Sequence, residues 1–181
     1  MKIFLLFILA INIYAFDAKK SMLSLYQNQN YEEVCRVGFS NFENFSQDEE
    51  FVSLYAFGCL YADYVDRLTV PITILKYSQE ARANSAYFSI ILMQKKLLYH
   101  AMMDGYDIST LNMPTTDYIL SKVFDQYVKL GKHEAQSAYV FTDENDARIT
   151  YKLYLLKDVK IDKMVIEKFY AGESVKRHVY W

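Results

Sequence analysis

Two cysteines, three histidines and one run of acids are the residues whose types could do chemistry in this chain of 181 residues. Cys35 and Cys59 are the only thiols. Helical spacing predicts a hairpin turning near Ser46 and Gln47, which sets the two cysteines level on antiparallel helices. An even pair in an exported chain points to a disulfide closing a loop of about 25 residues, able to stabilise by roughly 3 kcal/mol. There is no C-x-x-C, so the pair is structural rather than redox-active. His100 and Asp104 share a helix face at i, i+4, but a metal site needs further ligands and none is offered. His133 precedes Glu134 in a polar turn after Gly131, and His178 lies among basic and aromatic residues near the C-terminus. Asp143-Glu144-Asn145-Asp146 has oxygen ligands but lacks the Gly and distal Glu of an EF-hand loop.

The chain has no G-x-S-x-G, H-E-x-x-H, P-loop or S-x-x-K signature. The expectation is that it has no catalytic residue, no cofactor and no metal. The runner-up is an enzyme acting on envelope glycans or peptides through carboxylates that the sequence does not pair. What remains conspicuous is 17 Tyr and 12 Phe. Most fall at core spacing, while Tyr87, Tyr99, Tyr106 and Tyr118 are candidates for a partner-binding groove, since Tyr gives contact area at small entropic cost. Lys176, Arg177, His178, Tyr180 and Trp181 are candidates for a second contact, a basic sheet edge that pairs with an acidic partner strand.

Composition bounds these readings. Hydrophobic residues make up 52% and charged residues 23%, a globular balance for one domain or one plus an appendage. Residues 16–147 hold 11 bases against 18 acids, and residues 148–181 hold 8 against 4, so the body is acidic and the tail basic. Such a body is a poor partner for nucleic acid. Met1-Lys2 precedes the apolar run from Ile3 to Ile13, shorter than the roughly 20 residues that span a bilayer, and Ala15 suits a signal peptidase. Residues 1–15 therefore read as a signal peptide cleaved near Ala15, giving a periplasmic or secreted protein. Membrane attachment would come only from that segment left uncleaved, as in a membrane-tethered structural subunit.

The elements follow from breakers and periodicity. Helices are expected from about Ala18 to Gln29, Tyr31 to Phe45, a Ser46-Gln47-Asp48-Glu49 capping box onward, Thr69 to Arg82, and Ala86 (capped by Ser85) to Asp104, with another after Thr116-Asp117 stopped by Gly131. A short seventh is drawn over Lys132 to Tyr139. Arg148 to Leu156 and Val175 to Trp181 alternate as strands around an Ala171-Gly172-Glu173 turn, and Lys160 to Tyr170 fits either helix or strand.

Leu54, Phe57, Gly58 and Tyr61, then Val70, Ile74 and Tyr77 at 12, 16 and 19 residues from the Gly, resemble the tetratricopeptide repeat. Val70 and Tyr77 depart from its usual Ala, and Arg82 from its usual Pro. Asn30 to Val34 is a weaker echo, and the resemblance covers roughly residues 20–104. It implies tandem helical hairpins with a concave surface for protein segments, and no chemistry. The expected fold is mainly α, with tetratricopeptide-like hairpins over 16–142 and a small antiparallel β appendage over 143–181. The expected role is an exported interaction module or scaffold in a cell-envelope assembly such as a secretion, pilus or motility machine, with envelope proteins as partners.

Overall fold

The computed structural model describes residues 18–181; the expected signal peptide lies outside the described residues. The chain forms two compact units, one ending at Ala86 and one from Tyr87 to Trp181. The division falls within a helix, and in the second unit side chains of the helical part contact the strands, as Tyr127 does Tyr139 and Tyr118 does Tyr180.

The first unit holds α1 (residues 18–27), α2 (Tyr31–Phe45), α3 (Glu49–Tyr61), a 3-10 turn (Val65–Leu68), α4 (Thr69–Ile74) and the first turns of α5 (Gln79–Asp104). Gln29 adopts φ 58°, and this left-handed residue ends α1 two positions short of the expected boundary at Gln29. α2 and α3 cross closely. A Cβ on Gly58 would lie 2.4 Å from Cγ1 of Val34, and one on Gly38 would lie 2.4 Å from Cδ2 of Tyr55, so each helix supplies a glycine where the other brings a side chain. Cys35 and Cys59 bridge this crossing with their Cα atoms 4.6 Å apart, and both are fully buried. Around them Met22, Val34, Phe45, Phe51 and Tyr55 form the core.

Three expectations at helix ends give way to carboxylate chemistry. Asp48, not Ser46, caps α3, its Oδ1 accepting from the amides of Glu50 and Phe51 at 3.1 Å each; Ser46 closes α2 instead. That frees Glu49, whose carboxylate accepts from the amides of Lys76, Tyr77 and Ser78 at 3.0, 2.7 and 2.9 Å. Three amides held this way are lost to helix, so α4 stops at Ile74 and α5 restarts at Gln79, with Ser78 Oγ accepting from Ala81 N. Ser85, expected to cap a helix starting at Ala86, instead lies within α5 beside Asn84, and both tie the helix down: Asn84 donates to Ser53 Oγ at 3.2 Å and Ser85 to the Ile72 carbonyl at 2.7 Å.

The second unit comprises the rest of α5, α6 (Ile119–Lys129) and a four-stranded antiparallel meander of β1 (Ala138–Thr142), β2 (Ile149–Leu156), β3 (Lys163–Tyr170) and β4 (Glu173–Tyr180), ordered β1-β2-β3-β4. Gly131 at φ 71° ends α6 as expected. The short helix drawn over 132–139 does not form. His133 packs edge-on against Tyr127 and Tyr139, and the chain is already extended as β1 at Ala138. The ambiguous Lys160–Tyr170 segment is the last three residues of the β2–β3 connection followed by β3. Met164, Val165 and Ile166 are consecutively buried, the signature of a central strand covered on both faces, which hides the alternation expected of a strand. Ala171 and Gly172, both at positive φ, make the tight β3–β4 turn. The inner face carries Tyr139, Phe141, Tyr151, Leu153, Ile166, His178 and Tyr180, all buried.

Candidate functional site

α3 carries apolar side chains round its whole circumference. Tyr55 and Cys59 meet α2, while Leu54 and Phe57 stay half-buried on another side. There they join Leu23 and Tyr26 of α1 and Ala81 of α5 to line a groove of about 340 Å³. Leu23 is 48% exposed, a large apolar residue left facing solvent in this groove.

Charges form the rim. Lys19 Nζ lies 2.6 Å from Asp48 and 2.8 Å from Glu50, so α1 is clamped to the start of α3. Burial pushes the Asp48 carboxyl up, but the Lys19 ammonium and the Phe51 and Glu50 amides outweigh it and hold the group below its ordinary range. The Glu49 carboxyl is drawn down to about 2, chiefly by the Tyr77 amide and then by its neighbours. Both acids are thus ionised and committed to holding the wall in shape. Glu80, exposed on the rim, has no ion pair among the described residues. With Lys19 set against Glu49, Glu50 and Glu80, the rim is acidic around an apolar floor. It can hold an apolar side-chain row flanked by basic groups.

The residues singled out in the sequence divide. Tyr118, His178 and Tyr180 are enclosed, with the two tyrosine hydroxyls 3.2 Å apart and each ring 6.3 Å from His178, so they build the core of the second unit. Alternation explains this, since 178 and 180 share the inner face of β4. Tyr87 donates to Asp117 at 2.8 Å and Tyr99 to the Asp162 carbonyl at 2.7 Å, which commits both hydroxyls internally. Tyr106 is half-exposed and stacks on His100, whose Nδ1 lies 2.8 Å from Asp104. Lys176, Arg177 and Trp181 are exposed. The four tyrosines therefore do not assemble into one groove, and the open apolar groove lies in the first unit.

Other polar clusters of the second unit are internal fittings. Asp143 is buried, accepts from Tyr151 at 2.5 Å and Lys122 at 3.2 Å, and is drawn down to about 2, first by the Tyr151 hydroxyl. Asp146 pairs with Arg148 at 2.7 Å. Among the described residues no group of three His, Cys, Asp or Glu is placed to hold a metal ion.

The groove residues Lys19, Leu23, Leu54, Phe57 and Glu80 were legible only as core or surface positions. The signal available was α3 itself, too apolar to be covered by one neighbouring helix. A buried disulfide, together with the fact that no helix among the described residues is long and apolar enough to cross a membrane, fits an extracellular or periplasmic location. Comparison with protein-family models, curated proteins and solved structures finds no match for this chain.

Proposed function

We propose that this protein is a periplasmic interaction module, exported with removal of residues 1–15, that serves as a scaffold in a cell-envelope assembly. It works by binding, without turnover. The observation that carries the reading is the apolar groove with an acidic rim, on a hairpin stiffened by the Cys35–Cys59 bond. Stiffness matters because a preformed groove loses little conformational entropy when occupied. The occupant is a partner segment with an apolar face and basic flanks, in the manner of a helix laid in a groove. The tetratricopeptide-like pattern of residues 54–77 adds little to this reading, because its second-helix positions end with α4 at Ile74 and leave Tyr77 in the connection to α5.

Leu23→Asp and Glu80→Lys change exposed groove positions and leave the core intact. With each, the protein retains its melting temperature and loses at least tenfold of a reproducible partner on affinity purification from crosslinked native envelopes. Undiminished recovery of that partner by both folded variants contradicts the reading. Loss of a turnover on envelope glycan or peptide by a folded carboxylate variant would favour the enzyme alternative.

A further inference from the structure

The end of the sheet where β2 joins β3 exposes apolar side chains in a cluster that the groove does not use. Leu156, Ile161 and Trp181 are 39, 45 and 46% exposed, and Val159 is fully exposed. Leu156 is registered opposite Lys163, and Met164 opposite Tyr180, so Leu156, Lys163 and Trp181 form the last row across β2, β3 and the end of β4. Lys163 Nζ sits 5.8 Å from the Trp181 ring, which confirms the neighbourhood. Isolated surface apolar residues need no explanation, but four together on one rim mark a contact surface.

Lysines are interleaved with them, at 157, 160 and 163. Lys157 pairs with Asp162 at 2.5 Å and Lys163 with Asp158 at 2.6 Å, which neutralises both acids of the connection. Lys160 is exposed and has no ion pair among the described residues, so the tip is cationic. Its shape is set in advance: Asp158 and Asp162 accept main-chain amides within the connection, and Tyr99 of α5 holds the Asp162 carbonyl.

We infer that this tip, Leu156, Val159, Ile161 and Trp181 with Lys157, Lys160 and Lys163, docks on the surface of a bilayer bearing anionic lipid. Short apolar side chains reach into the headgroup and acyl boundary, Trp occupies the interface with its polar edge wet, and Lys160, whose two neighbouring lysines are spent on Asp158 and Asp162, meets a lipid phosphate. Charge complementarity selects a lipid surface over a purely apolar partner. The inference is independent of the helical groove.

Trp181 is the single tryptophan of the chain and reports on this end alone, whatever the apolar N-terminal segment does. With the full-length chain, phosphatidylcholine vesicles containing phosphatidylglycerol are expected to shift Trp181 emission to the blue, and brominated lipid to quench it; phosphatidylcholine alone does neither. Val159→Asp with Ile161→Asp, both at exposed positions, abolishes the shift while the circular dichroism stays unchanged. Lys160→Glu weakens the emission-detected affinity about 25-fold, at about fivefold for each unit of charge near the surface. Unaltered emission with anionic vesicles overturns the inference. So does a shift that survives the double substitution, that is equal on phosphatidylcholine alone, or that follows protein concentration without vesicles, the mark of a second copy on this surface.

Discussion

At Gly58 the approach of α2 to α3 leaves no space for a methyl group, and the atom in the way is a β-branched Val34 side chain at 2.4 Å, not a flexible tip. Gly58→Ala should therefore destabilise the protein by about 1–3 kcal/mol through overpacking, despite the better helix propensity of Ala. Urea unfolding checks it, and the same substitution at Gly38 should behave alike. Acids at this scale give a pH signature. Glu49 and Asp143 are held at about 2, below their unfolded values, so the stability they contribute is present above about pH 4.5 and is lost as pH falls toward 2. Thermal melts between pH 6 and pH 2 should show the loss, and Glu49→Gln should flatten the part that arises at the start of α5. A melting temperature insensitive to that substitution at every pH would contradict the role given to its three amide contacts.

Among elements, the α2–α3 hairpin is held both by packing and by a covalent cross-link. Replacing Cys35 and Cys59 by Ser together removes a cross-link spanning 24 residues of sequence, and should cost about 3 kcal/mol, read as a lower urea midpoint. Equal stability of the oxidised protein and the double variant would show that packing alone holds the crossing. Legibility at this scale follows physical cause. α2, α6, the Gly131 stop and the level placement of the cysteines could be read because periodicity and local turn chemistry decide them. The α4–α5 break could not, because it depends on Glu49, far away in sequence, taking the amides of 76–78. β1 and β3 were obscured for different reasons, β1 by its shortness and β3 by burial on both faces, which erases the alternation that marks a strand.

For the whole molecule, the acidic body and basic tail found in the sequence acquire places. Glu49, Glu50 and Glu80 of the first unit rim an apolar groove, and the bases of residues 148–181 lie on and around the sheet of the second. The groove itself was not legible. It is lined by residues from three helices, with Lys19 and Ala81 more than 60 positions apart in sequence. Predicted contact residues were found in part on the surface, at Tyr106, Lys176, Arg177 and Trp181, and in part in the core, at Tyr118, His178 and Tyr180. Tyrosine content alone does not distinguish a groove from an interior.

The central claim is that the groove of the first unit holds a partner segment in the envelope. A photoreactive phenylalanine analogue placed at Leu54, and separately at the exposed Phe39 of α2, tests it most directly. Irradiation of native cells is predicted to give one discrete adduct from position 54, lost in the Leu23→Asp background, and none from position 39. The crosslinked peptide should be apolar with basic flanks. No adduct from position 54, or the same adduct from both positions, would contradict the account.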